Sequence, residues 1–179
     1  FGSSVHGETT DGAGLLLDLV DKGIRLEASS LLVLGAGGSA RSIVPSLLSK
    51  SPKHLFIANR TLERAESLVN KYKTNHPQIA LLDEDLNGRI RPDIVINATS
   101  AGTLNDSILL PEELFKSKPK VYDLAYSRDE TAFNKAAKEG GSIELYDGLG
   151  MLIQQAALSF EIWNEFKPNT NGIEQKLRA

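Results

Sequence analysis

Short apolar runs recur along the chain at 31–34, 54–58, 79–82, 93–97, 121–125 and 142–146, most of them rich in Leu, Ile or Val. Runs of four or five residues with little polar alternation suit strands buried on both faces. Between strands the spacing changes. Leu62, Ala65, Leu68, Val69 and Tyr72 recur every three or four positions, which describes a helix with one apolar face. Strands that alternate with helices are joined by crossovers of fixed right hand, and the product is a parallel sheet covered on both sides. The pattern therefore predicts a doubly wound α/β domain over residues 1–166.

Both ends of this region carry extra helical pattern. Residues 12–22 form an amphipathic stretch, and Gly23 is placed to end it in a left-handed conformation. Met151, Leu152, Gln155, Ala156, Ser159, Phe160 and Trp163 also repeat at helical spacing, and part of this long, mostly apolar stripe expects a partner surface. Residues 167–179 are polar and contain Pro168, Asn169, Asn171 and Gly172, so they are expected to form a loop-like tail with at most one frayed turn.

Composition narrows the function classes. A net charge of −3 argues against a general nucleic-acid surface. With no cysteine, thiolate catalysis, disulfides and iron–sulfur clusters are excluded. The apolar residues 15–17 are interrupted by Asp18 and Asp21, far short of the ~20 residues of a membrane span. His6, His54 and His76 are scattered without metal-ligand spacing, so no metal is expected. The chain opens on Phe1-Gly2-Ser3-Ser4, which has neither a basic nor an apolar leader segment and reads as an internal cut in a longer protein.

The chemistry concentrates after the first strand, in Gly35-Ala36-Gly37-Gly38-Ser39-Ala40. This fits the G-x-G-x-x-A turn of a Rossmann-type domain: Gly35 for the tight turn, Gly37 for close approach to a pyrophosphate, Ala40 for close helix packing. The following helix N-terminus favours an anion. After the second strand comes Asn59-Arg60-Thr61, where NAD enzymes usually place a carboxylate for the ribose hydroxyls. Arg60 and Arg64 instead offer planar donors for a 2′-phosphate, and Thr61 a hydroxyl that also caps the helix. Cations are unfavourable beside a helix N-terminus unless an anion joins them. NADP is the expected cofactor.

Gly7-Glu8-Thr9-Thr10-Asp11-Gly12, the glycine turn, Asn59-Arg60-Thr61, Asn97-Ala98-Thr99-Ser100-Ala101-Gly102 and Asp147-Gly148-Leu149-Gly150-Met151-Leu152 together resemble the shikimate dehydrogenase family in order and interval. The resemblance implies a cytoplasmic, NADP-dependent enzyme interconverting shikimate and 3-dehydroshikimate, with quinate as an alternative substrate. It also implies an N-terminal substrate domain, with a catalytic Lys, that this chain lacks. Asp11 falls on the family's catalytic Asp; its local alternative is an N-cap. Asn97, Ala98, Thr99 and Ser100 would line the cofactor. Tyr126 and Gln155 would meet the substrate, Met151 the nicotinamide, and Gly148 the cofactor. Plain packing is the alternative for Tyr126 and Met151. The sequence departs from the family at Thr9, usually Asn, and Arg128, usually Pro. A reading from another class is an NADP-sensing module without catalysis.

Overall fold

The computed structural model describes residues 7–82, 89–99, 114–115 and 117–179. Its elements run α1 (Asp11–Asp21), β1 (Ser30–Leu34), α2 (Gly38–Leu48), β2 (His54–Ala58), α3 (Leu62–Lys73), β3 (Ile79–Leu81), β4 (Ile94–Asn97), β5 (Lys120–Asp123), α4 (Ala132–Glu139), β6 (Leu145–Asp147), α5 (Leu149–Asn164) and α6 (Ile173–Arg178). The strands form one sheet in the order β3-β2-β1-β4-β5-β6, and every pairing is parallel. The chain winds outward from β1 to β3 and then returns to β1's other side with β4. That reversal opens a crevice at the carboxyl ends of the strands. In register, Leu34 sits level with Ala58 and Asn97, and Asn97 with Asp123. Four strand exits therefore reach the same edge together.

Strand alternation divides the core. Leu31 and Val33 join Leu15, Ile43, Leu47 and Leu68 on one face; Leu32 and Leu34 join Val95, Val121, Phe133 and Ala137 on the other. Helix α1, which precedes the sheet, is held close by glycine. A Cβ at Gly14 would lie 2.7 Å from the Gln155 backbone of α5, and one at Gly12 would collide with Ser46 of α2. Gly23 closes the helix at φ 68°, as the sequence predicts.

Beneath α1 lies a buried polar knot. Asp18, 3% exposed, accepts hydrogen bonds from Tyr122 Oη at 2.5 Å and Lys22 Nζ at 2.6 Å. A carboxylate so far from water must be paired, or its burial would cost several kcal/mol. Burial first, and the neighbouring Asp18 charge second, push the Tyr122 hydroxyl far above its ordinary value.

Two expectations are corrected. Residues 142–144 do not open the last strand, which begins at Leu145, because Ile143 is 78% exposed and only Val121↔Leu145 starts the pairing. The tail is not a loop with one frayed turn, for α6 occupies Ile173–Arg178 and Arg178 bonds both oxygens of Asp147.

Tyr122→Phe should lower stability by about 1–3 kcal/mol in urea denaturation, because it leaves a buried Asp18 oxygen unpaired. Tyr122 keeps its proton in the folded state and loses it near pH ~10 when unfolded. Wild-type stability should therefore fall above that pH by up to about 1.4 kcal/mol per unit from this group, a share the Phe variant lacks.

Candidate functional site

The glycine turn crosses the switch point directly after β1. Gly35 has φ 106°, a left-handed conformation, and a Cβ there would press 2.9 Å from the Ala98 carbonyl. Its N–H donates to Ala58 O at 2.7 Å. Gly37 and Gly38 behave differently. Both are exposed, neither has positive φ, and a Cβ at either would meet nothing within 4 Å. The fold itself needs glycine at 35 but leaves open space over 37 and 38, at the N-terminus of α2.

Asn59 ties the turn to the β2 exit: its Oδ1 accepts from Ala36 N–H at 3.1 Å and its Nδ2 donates to Thr61 O at 2.8 Å. Arg60 and Arg64 are exposed, and neither pairs with a carboxylate among the described residues. Thr61 occupies the N-cap of α3 as expected, but its hydroxyl makes no capping bond. Ser39 is exposed and Ala40 fully buried against the core.

On the other side of the crevice Asn97, buried at the end of β4, donates to Asp123 Oδ1 at 2.9 Å and accepts from Thr99 N–H and Oγ1. Burial pushes the Asp123 carboxyl above the usual carboxylate range, opposed in part by the hydrogen bonds its Oδ1 accepts from Asn97 and Ala125 N–H. Ala98 and Thr99 lie half-buried at the crevice; Ser100 lies outside the described residues, as does His6.

Asp11 is not the cap of α1. Thr10 holds that position, without a side-chain bond to the helix, and Asp11 Oδ2 instead accepts from Ser42 Oγ on α2 at 2.9 Å. Thr10 Oγ1 reaches α5, 3.3 Å from Gln155 Oε1 and 2.9 Å from Ser159 Oγ. The structure thus brings Asp11 and Gln155 to one corner, 144 sequence positions apart. The Gln155 amide donates back to Leu152 O. Tyr126 stands 54% exposed just past β5. Met151, in the first turn of α5, is buried at the border of the core cluster. Gly148 is buried where β6 turns into α5.

Sequence reasoning missed Ser42, Ser159 and Arg41. The first two are ordinary helix residues, given their role by contacts with distant elements. Arg41 Nε donates to Ala36 O at 3.3 Å, bringing a cation to the glycine turn; its place one residue after Ala40 was an available signal. No group of three or more His, Asp or Glu positioned for a metal occurs among the described residues. No helix among them is long and apolar enough to cross a membrane.

The strand order and the glycine turn at the switch point define a doubly wound α/β domain of the Rossmann type. A family model described as shikimate / quinate 5-dehydrogenase matches residues 18–135, and a second, shikimate 5′-dehydrogenase C-terminal domain, matches 148–178. The chain belongs to the shikimate / quinate 5-dehydrogenase family. Shikimate dehydrogenase (NADP(+)) of Legionella pneumophila strain Corby is 45% identical over 179 residues, 99% of this chain and 64% of that protein. The chain thus spans less than two thirds of that relative. The crystal structure of an Ael1 enzyme from Pseudomonas putida superposes with TM-score 0.85 at 36% identity, covering 94% of this chain and 62% of that one. Shikimate 5-dehydrogenase from Thermus thermophilus, in complex with NADP(H) and shikimate, gives 0.80 at 32% identity, covering 96% and 62%.

The two glycine types should separate under substitution. Gly35→Ala should destabilise the domain by about 1–3 kcal/mol through strain and the clash with Ala98. Gly37→Ala should leave the urea midpoint nearly unchanged, within about 0.5 kcal/mol.

Proposed function

We propose that this chain binds NADP(H) at the glycine turn and supplies the cofactor-binding part of an enzyme that interconverts shikimate and 3-dehydroshikimate. The observation that carries this reading is the open cradle over Gly37 and Gly38, glycines that the protein's own packing does not require. Space for a pyrophosphate explains them, because phosphate oxygens can then approach the backbone at a helix N-terminus. Arg60 and Arg64 follow Asn59, which is bonded to that turn, and neither pairs with a carboxylate among the described residues, which suits a 2′-phosphate site. The Legionella relative is named for NADP(+), and the Thermus structure holds NADP(H) and shikimate.

When bound, the nicotinamide accepts or returns the hydride at the carbinol carbon. This chain's part is to hold the ligands and manage one proton. The Ser42 hydroxyl donates to Asp11 and so orients its carboxylate, which can stabilise and exchange a proton with a lysine ammonium from a substrate domain. Thr10 bonds Gln155, and Tyr126 stands exposed just past the β5 exit; we assign Gln155 and Tyr126 to the substrate. We assign the β4 exit at Asn97, Ala98 and Thr99 to the cofactor, and Met151, at the start of α5, to the nicotinamide. The substrate domain is the partner we assign to the exposed apolar end of α5, where Phe160, Ile162 and Trp163 face solvent. A cytoplasmic location is part of the same reading.

Arg60→Ala should weaken NADP⁺ by about 10- to 150-fold while changing NAD⁺ little, since only NADP⁺ carries the 2′-phosphate. Titration calorimetry with both cofactors checks this, and equal losses would remove the NADP assignment. In the protein that joins this chain to its substrate domain, Asp11→Asn should keep NADP⁺ affinity and cut shikimate turnover by about 100- to 10,000-fold. NADPH absorbance, followed with shikimate and with quinate, is the measurement; near-normal turnover would withdraw the proton-handling role.

A further inference from the structure

Helix α6 sends one side chain back to the carboxyl edge of the sheet. Arg178 donates through Nη2 to Asp147 Oδ1 at 2.6 Å and through Nη1 to Oδ2 at 3.0 Å. Glu174, one turn earlier, accepts from the same guanidinium at 2.9 and 3.2 Å, and so steadies it. Asp147 is the last residue of β6, its side chain only 10% exposed, and its Oδ1 also accepts from Leu149 N–H at the start of α5. One carboxylate therefore closes the first turn of α5 and is gripped from outside by a planar fork.

The next residue carries that grip to the neighbouring strand. Gly148 N–H donates to Ala125 O at 3.0 Å, and its Cα lies so close to the Leu124 carbonyl that any side chain would collide. Tyr126 follows Ala125 directly. The exits of β5 and β6 are thus keyed together at Gly148, with Arg178 at the outer end of the key. An exposed ion pair contributes little to overall stability. A bidentate fork, however, fixes the plane and position of the carboxylate it holds.

We infer that Arg178 is a positioning residue for the nicotinamide end of the site: through Asp147 it fixes the β6–α5 turn, and with it the Gly148 and Tyr126 backbone, without touching the cofactor. The inference rests on the NADP reading above. Supporting groups of this kind act by holding a site's geometry, so their loss shows in the ligand portion they position.

The test is titration calorimetry on the 179-residue chain with two probes: NADP⁺, and adenosine 2′,5′-bisphosphate, which lacks the nicotinamide half. Arg178→Ala should weaken NADP⁺ by about 10-fold. The bisphosphate should stay within about 2-fold, because its contacts lie at the other side of the sheet. Arg178→Lys, which keeps the charge but not the fork, should fall between wild type and Arg178→Ala for NADP⁺. Equal losses on both probes, or no loss on either, would overturn the positioning role. So would a fall in melting temperature with an unchanged ratio of the two affinities. A wild-type chain that binds neither probe would overturn the NADP reading itself, and this inference with it.

Discussion

Asp18 carries a carboxylate almost closed to water, and the placement of α1 depends on what it bonds. Tyr122 from the centre of β5 and Lys22 from the next turn of the helix supply its two donors. Gly150 at the start of α5 leaves room for it, since a side chain there would occupy the carboxylate's own space. The knot joins a helix outside the α/β alternation to the sheet and to α5. Everything contributed by the first turn of α1, including Asp11 and Thr10, inherits its position from that attachment. Because a buried charge tolerates no missing partner, the arrangement is specified sharply even where its net contribution to stability is small.

Glycine does three separate physical jobs here. Gly12, Gly14 and Gly150 remove side chains so that helices can touch, Gly35 adopts a left-handed turn under Ala98, and Gly37 and Gly38 leave space that no protein atom fills. Only the third job points outward to a ligand. The familiar motif blends the second and third, and the surroundings of each Cα separate them.

The sheet was legible in the sequence because strands buried on both faces leave uninterrupted apolar runs; β1, β2 and β4 lie within a residue of where those runs place them. At β6 the same reasoning slipped, since Ile143 looks like a strand residue but faces solvent, and Glu144 bonds Lys120. The glycine turn and Asn59-Arg60-Thr61 were readable because their chemistry is local. Asp11 was readable only as a choice between cap and catalyst: the Ser42 hydroxyl that orients it lies 31 positions away and leaves no mark on local pattern. The polar composition of residues 167–179 hid α6, whose docking depends on an Arg178 fork that becomes visible only once Asp147 is in place.

The strand order has one more consequence, for how this domain behaves among its own copies. Among the described residues the two edges of the sheet are β3 and β6, each three residues long. An open edge offers unpaired N–H and C=O groups to any other strand it meets, and long edges are routes to aggregation. Here the longest strands, β1 and β2, lie inside the sheet, and two molecules laid edge to edge would share a ladder too short to hold. Among the described residues, protection against sheet extension is therefore built into the order and length of the strands.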